Sequence, residues 1–261
     1  MSYITDFKVS PISLFGDNGG ITTTDASLAT LVGIRFKSSD SREFVLVQNG
    51  AVALVAGNLI QAPASIGANH TGLAVATTAI GSKAITVTLG ATVVTANQYA
   101  GGYVVISAGT GLGQTLKIAS HPAAAGAATV VLTLEDALSV ATAVADSKAS
   151  LTLPQYGSKN GTTAVTHGVI ISPTTATGAS IGVSITPIPA STATVPMYGF
   201  IQCKGPVGCL NIAGTAIGLD VMAGSGTAGS VITYAVATRN RVGTSIVAGE
   251  NAKAQLIDLQ L

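Results

Sequence analysis

The chain has little charge and few aromatic side chains for its 261 residues. Charged residues make up 9% of the sequence, against about 25% in an average soluble protein. The formal net charge is +1, and tryptophan is absent. The sequence therefore lacks the basic surface that binds nucleic acid and the basic cluster that binds an anionic membrane. We expect neither of these partners, and we expect other subunits to cover much of the surface.

Cysteine is also scarce. The two cysteines, Cys203 and Cys209, and three separated histidines follow no metal-ligand spacing. The chain starts without a basic segment followed by an apolar one, so we expect a protein that is not secreted. Because disulfides belong mainly to exported proteins, we predict two reduced, packed thiols. The Pro and Gly between them predict a turn inside a hairpin.

Side chains suited to catalysis are few and dispersed. His70, His121 and His167 each lie in a turn context, which predicts surface or turn histidines rather than catalytic bases. No GxSxG nucleophile motif is present, and the acidic residues form no general acid/base pair. We therefore predict that the chain is not an enzyme. We also predict no catalytic, metal or cofactor-binding residues and no small-molecule ligand.

Glycine and short strand-like runs are abundant. There are 31 glycines, well above the usual share of about 7%. Runs such as "KAITVTLG", "YVVISAG" and "ATVVLTLED" are rich in β-branched residues, alternate in part, and end near glycine, asparagine or proline. They predict an all-β fold with two small β-barrel or sandwich regions and at most one short helix. Glu135–Ser147 is the candidate helix, with an irregular loop as the alternative.

Shifts in composition divide the chain into three parts. Residues 1–44, with four of the five phenylalanines, predict an extended N-terminal arm that ends in one or two strands. Residues 45–157 and 158–261 predict two β domains, separated by a linker rich in Pro, Gly, Asn and Ser. The arm's aromatic side chains either cover the chain's own core or dock on a neighbouring subunit, and both interpretations stay open. The candidate contact residues are Tyr3, Phe7, Phe15, Phe36 and Phe44.

The stretch "AGTGLGQTLKIASH" could be a phosphate-binding loop or a hairpin. A Walker A loop requires a lysine that is missing here, and a dinucleotide fingerprint requires a helix after the glycines. The following "TLKIAS" is a strand pattern, so no helix N-terminus is available to bind phosphate. We therefore predict that Gly109, Gly111 and Gly113 form a hairpin tip, with positive φ at one or more of them.

Five stretches between Asn97 and Val207 resemble structural proteins of tailed-bacteriophage virions. They are "NQYAGGYVVISAGTGLGQTLKIASHPAA", "TVVLTLEDAL", "LPQYG", "GVIISP" and "PMYGFIQCKGPV". The sequence is most similar to capsid decoration, or cement, proteins. That resemblance implies a protein made in the host cytoplasm that binds the outer surface of the head and stabilises contacts between capsomers. It also implies the major capsid protein and further copies of this chain as partners, with a trimer preferred over a dimer.

Two alternatives differ from this interpretation in kind. The first is another virion component: a minor capsid, tail or fibre protein. The second is a carbohydrate-binding β module, which normally presents exposed aromatic platforms or acidic calcium sites. The sequence favours a decoration protein because low charge suits a chain covered by neighbours. An arm rich in phenylalanine can also add a strand to a capsid subunit.

Overall fold

The fold is described from a computed structural model that covers residues 26–158, 167–235 and 239–261. These residues contain sixteen strands and two short 3₁₀ helices, Ala26–Leu31 and Gly67–His70, which confirms the predicted all-β class. The candidate helix Glu135–Ser147 is an irregular loop. The strands are β1 (Arg35–Lys37), β2 (Glu43–Gln48), β3 (Leu59–Gln61), β4 (Leu73–Val75), β5 (Ala84–Thr88), β6 (Tyr103–Ala108), β7 (Thr115–Ser120), β8 (Thr129–Leu134), β9 (Lys148–Thr152), β10 (Ile170–Ile171), β11 (Ser180–Ser184), β12 (Tyr198–Asn211), β13 (Asp220–Ala223), β14 (Val231–Thr233), β15 (Arg241–Ser245) and β16 (Lys253–Gln260).

The first barrel closes from six consecutive strands, in the order β4-β5-β8-β7-β6-β9. All neighbouring strands are antiparallel. Side chains alternate between the inside and the outside of the barrel, most regularly in β8, where every second residue is buried. The interior is filled by branched apolar side chains that include Ile85, Val104, Ile106, Ile118 and Leu132.

The second barrel closes through the ring β12-β14-β13-β15-β16, because β16 pairs back onto β12. Strand β14 runs parallel to β12, and the other pairs in the ring are antiparallel. Its core includes Val207, Cys209, Val221, Ile257 and Leu259. The same sheet continues beyond the ring, since the first half of β12 pairs with β2 and β11, and β3 and β10 follow β11.

The first barrel is inserted into the sheet of the second barrel. Strands β2 and β3 precede the first barrel in sequence, yet β2 pairs with β12 and β3 pairs with β11. The boundary predicted at residue 45 therefore falls inside the second sheet, and the first barrel occupies the chain between β3 and β10. Apolar alternation identifies a strand and its buried face, but it does not identify the neighbouring strand.

Strand β12 contains the segment "CKGPVGC" without a turn, so the predicted hairpin at this segment is wrong. Its pairing with β2 shifts register between Gln202 and Lys204, and Gly205 has a φ of +85°. A bulge of this kind bends a strand without ending it, which lets one strand serve two sheet regions. Cys203 is the extra residue at this register shift, and Cys209 lies six residues further along the strand; both are buried, free thiols in separate apolar clusters.

Candidate functional site

The glycine-rich stretch forms the tip of the β6–β7 hairpin, as predicted. Gly109, Gly111 and Gly113 have φ values of +73°, +88° and +89°. The Gly113 N–H donates to the Ile106 carbonyl at 2.9 Å, which closes the turn within the hairpin. The Asp146 carboxylate accepts from the Thr110 N–H at 3.1 Å, so an acidic group already occupies the place beside this loop. This geometry does not suit a phosphate site.

The three histidines are buried, so the surface alternative in the prediction of surface or turn histidines is wrong. His70, His121 and His167 are 1%, 4% and 5% exposed. His70 ends the 3₁₀ helix Gly67–His70, and His121 lies in the β7–β8 loop; both segments fold over one end of the first barrel and cover its core. The sequence signal that was missed is the aromatic Tyr99, which lies between these two histidines.

Both ring nitrogens of His70 and His121 have hydrogen-bond partners. His70 Nδ1 contacts the Tyr99 hydroxyl, and its Nε2 lies 3.0 Å from the Thr92 carbonyl oxygen. His121 Nε2 accepts from the Tyr99 backbone N–H at 2.9 Å, and its Nδ1 lies 2.8 Å from the Pro122 carbonyl oxygen. In the part of the chain that the structure describes, no group of three or more His, Cys, Asp or Glu residues is placed to hold a metal ion.

Two of the five candidate arm residues lie in the described chain, and both pack on the chain's own sheet. Phe36 and Phe44 face each other across the β1–β2 pair. The Phe36 ring meets the Phe200 ring edge-on, with centroids 5.2 Å apart, and Phe44 is buried in the same apolar cluster. For these two residues the structure supports the interpretation that they cover the chain's own core. Tyr3, Phe7 and Phe15 lie outside the described residues.

Charged side chains are concentrated at the β1–β2 hairpin, although the protein as a whole has few of them. Arg35 donates to the Tyr156 hydroxyl at 2.8 Å, and Arg42 pairs with Asp40 at 2.6 Å. Glu43 lies 3.8 Å from both Arg35 and Lys204. We call this group the basic cluster, and its four bases and two acids give it a net charge of +2. Its members are Arg35, Lys37, Asp40, Arg42, Glu43 and Lys204.

Six large apolar side chains are exposed together at one end of the second barrel, and we call them the apolar rim. They are between 38% and 67% exposed. Backbone pairing brings the segments that carry them together. The Ile246 N–H donates to the Leu256 carbonyl, the Ser245 N–H to the Leu219 carbonyl, and the Tyr234 N–H to the Asp220 carbonyl. Clusters of this kind mark interaction surfaces. The members of the rim are Ile217, Leu219, Tyr234, Ile246, Val247 and Leu256.

A small cleft lies where the first barrel meets the chain segment that follows it. The cleft has a volume of about 170 Å³, and its lining includes Tyr103, Lys117, Gln155 and Tyr156. The Tyr103 side chain is partly exposed, and Lys117 pairs with Glu135 at 2.7 Å. We call it the junction cleft. It is smaller than the pockets of about 300–1,000 Å³ that hold drug-sized ligands.

Comparison with protein-family models, curated proteins and solved structures finds no significant match to this chain. The resemblance to phage virion proteins therefore stays a prediction based on the sequence. Across residues 26–158, 167–235 and 239–261, no helix combines the length and apolar character needed to span a bilayer. What can be inferred about function rests on the surfaces described above.

Proposed function

We propose that this chain is a structural protein of a tailed-bacteriophage virion and, within that class, a head decoration (cement) protein. In this role it binds the outer surface of the capsid and stabilises contacts between capsomers. The apolar rim carries the proposal, because it is a cluster of exposed large apolar side chains on a protein with 9% charged residues. Such a surface gains stability when another protein covers it.

The two surfaces suit different partners. The apolar rim is flanked by acids and bases that pair within the chain, such as Arg241 with Asp220 at 2.9 Å. No excess of one charge therefore repels a second copy, and we assign the rim to contacts between copies in a trimer. The basic cluster has a net charge of +2 and suits an acidic surface of the major capsid protein. The arm residues Tyr3, Phe7 and Phe15 are the proposed anchors on that lattice.

The proposed mechanism is stabilisation by binding, with no bond made or broken. A stable interface buries about 800 Å² on each partner. The rim and the polar surface around it would together supply this area. A protein that binds the assembled lattice more tightly than free subunits shifts the equilibrium towards the lattice. The head then withstands more heat or pressure before capsomers separate.

The test is the composition and heat resistance of purified particles. We expect mass spectrometry to find the chain in a fixed ratio to the major capsid protein, and particles that lack it to open at lower temperature. Absence from the particle, or equal heat resistance without the chain, would overturn the proposal. A few copies per particle would instead indicate a tail, fibre or minor capsid protein.

Variants test the two surfaces separately. Ile217→Asp in the rim should shift the trimer towards monomer in analytical ultracentrifugation. Leu112→Asp is the matched control, because Leu112 at the β6–β7 tip is also 67% exposed but lies outside the rim. Deleting residues 1–25 should abolish capsid binding while both barrels stay folded by circular dichroism. Retained binding would contradict the role of the arm.

The junction cleft favours a second candidate function, that of a carbohydrate-binding β module. Tyr103 offers a partly exposed ring, and Lys117 and Gln155 offer polar groups beside it. Sugars bind through this combination of an apolar ring face and a few hydrogen-bonding groups. A glycan array tests it: hits that Tyr103→Ala abolishes would support this function, and an array without hits would exclude it.

A further inference from the structure

Tyr99 lies between two histidines at the end of the first barrel where the chain enters and leaves. This end is covered by the helix Gly67–His70, the β5–β6 loop and the β7–β8 loop. Tyr99 is buried and bonds to His70 through its hydroxyl and to His121 through its backbone N–H. These two contacts hold the β5–β6 loop against the rest of the barrel end.

The partners of His70 assign its neutral tautomer. Its Nε2 faces the Thr92 carbonyl oxygen, which only accepts hydrogen bonds, so Nε2 carries the proton. Its Nδ1 is then free of a proton and accepts from the Tyr99 hydroxyl. Burial raises the pKa of Tyr99 and keeps this hydroxyl protonated.

The partners of His121 assign the opposite tautomer. Its Nε2 faces the Tyr99 backbone N–H, which only donates, so Nε2 carries no proton. Its Nδ1 carries the proton and donates to the Pro122 carbonyl at 2.8 Å. A second contact holds the same loop, because the His121 backbone N–H donates to the Asn97 side-chain oxygen at 3.0 Å.

The two rings respond differently to a second proton. A proton on His70 Nδ1 would face a hydroxyl oxygen, which can rotate its own hydrogen away and accept. A proton on His121 Nε2 would face the Tyr99 N–H, which cannot accept, so the hydrogen bond would be lost and two donors would oppose each other. Protonated His121 is therefore incompatible with the closed position of the loop.

We propose that this end of the first barrel is an acid-sensitive latch, in which protonation of His121 releases the β5–β6 loop at Tyr99. The inference rests on the hydrogen-bond partners of the two rings and is independent of the proposed capsid function. Under this proposal, the β5–β6 loop is closed over the barrel end at neutral pH and opens in acid.

The groups around His121 reinforce this response. Burial lowers the pKa of His121; the hydrogen bond to the Pro122 carbonyl opposes this by a smaller amount, and a charge on His70 adds to the lowering. Burial also lowers the pKa of His167 to about 4, with a smaller effect from a charge on His121. Within the described residues, no carboxylate is among the groups that shift these two pKa values.

The direction of the pH effect follows from these lowered pKa values. Below the ordinary histidine pKa of 6.5, the unfolded chain binds protons at His121 and His167 that the folded chain excludes. The stability that these two neutral rings contribute is therefore fully present above pH 6.5 and is lost as the pH falls through their lowered pKa values, which for His167 is about 4. Each excluded proton raises the unfolding equilibrium constant by up to about tenfold per pH unit.

Thermal unfolding of the full chain between pH 7.5 and 4.5 tests the latch. For the wild type, we expect a midpoint that is constant above pH 6.5 and falls below it. His121→Gln keeps an acceptor for the Tyr99 N–H but cannot bind a proton, so the fall per pH unit should shrink by about half. A fall equal to that of the wild type would overturn the proposal.

Tyr99→Phe is the matched control, because it removes the hydroxyl bonded to His70 and keeps the N–H bonded to His121. It should lower the midpoint at every pH and leave the pH dependence unchanged. A pH dependence reduced by Tyr99→Phe would instead assign the response to His70 and overturn the proposal.

Nitrogen NMR of the wild-type histidines supplies a measurement that needs no variant. The chain has only three histidines, so their ring signals can be separated. At pH 7.5 we expect the proton of His121 on Nδ1 and that of His70 on Nε2. On acidification, protonation of His121 should coincide with loss of protection at the Tyr99 amide. An Nε2-protonated His121, or a Tyr99 amide still protected when His121 is charged, would overturn the latch.

Discussion

The first and second barrels are both closed sheets of short strands, but they close by different means. The first barrel uses six consecutive strands between Leu73 and Thr152, and each strand pairs within that segment. The second needs one long strand, β12, that also pairs with β2, although more than a hundred residues separate the two. The first barrel is therefore a local unit, whereas the second sheet forms only when distant segments meet.

The two regions also differ in how they treat buried polar groups. Around Tyr99 in the first barrel, the hydroxyl, the backbone N–H and the neighbouring histidine nitrogens are hydrogen-bonded. In and beside the second sheet, the buried side-chain hydroxyls of Thr186 and Tyr198 have no hydrogen-bond partner within the described part of the chain. The second region therefore bears the free-energy cost of burying unpaired hydroxyl groups, and the first barrel avoids this cost around Tyr99.

Cavity-forming substitutions should have the largest effects on stability, and they should show whether the two barrels open independently. Ile118 in the first barrel and Ile201 on β12 are both fully buried, and Ile→Ala at such sites costs about 2–5 kcal/mol. We expect Ile118→Ala to increase hydrogen exchange within residues 73–152 alone. Ile201→Ala should increase exchange in β2, β11 and β12, because β2 and β11 each pair directly with β12 around Ile201.

The pattern of exchange decides whether the first barrel is an independent unit. Hydrogen exchange followed by mass spectrometry assigns the opening to peptides from each barrel. Equal increases in both barrels for Ile118→Ala would show one cooperative unit and remove the distinction. The exchange profiles of the two barrels in the wild-type protein provide the reference.

The same difference explains how much of the fold the sequence predicted. Period-2 runs and the glycine hairpin were predicted because these signals are local, and the hairpin tip at Gly109 is confirmed by positive φ. The insertion of the first barrel was not predicted, because β2 pairs with β12 and β3 pairs with β10 and β11, all of which follow the first barrel in the chain. The Pro-Gly segment of β12 was misassigned because a bulge and a turn share the same residue types.

The candidate surfaces were predicted less well than the strands. The apolar rim arises from isolated residues, such as Ile217 and Val247, that lie at strand ends and meet only in the closed barrel. The latch at Tyr99 was missed for the same reason, since His70 and His121 are fifty-one residues apart in the chain. The contact roles of Tyr3, Phe7 and Phe15 stay predictions.

A matched pair of glycine substitutions tests whether the bulge in β12 requires glycine, and we expect an effect on stability of intermediate size. Gly205 has a φ of +85°, and a methyl group there would lie 3.1 Å from Arg42 Cγ. Gly208, three residues along the same strand, faces open space. We expect Gly205→Ala to cost about 1–2 kcal/mol in urea unfolding and Gly208→Ala to cost less than about 0.5 kcal/mol. Equal costs would show that the bulge does not require glycine.

The smallest expected effect comes from removing one hydroxyl in each region. The Tyr198 hydroxyl is buried without a partner in the described chain, whereas the Tyr99 hydroxyl bonds to His70. Tyr198→Phe removes a polar group that gained nothing in the folded state, so we expect unchanged or slightly higher stability, by up to about 1 kcal/mol. Tyr99→Phe removes a formed hydrogen bond and should lower stability by about 1 kcal/mol. Urea unfolding at pH 7.5 measures both free energies. Destabilisation by both substitutions would contradict the difference between the two regions, because it would show that the Tyr198 hydroxyl has a partner after all.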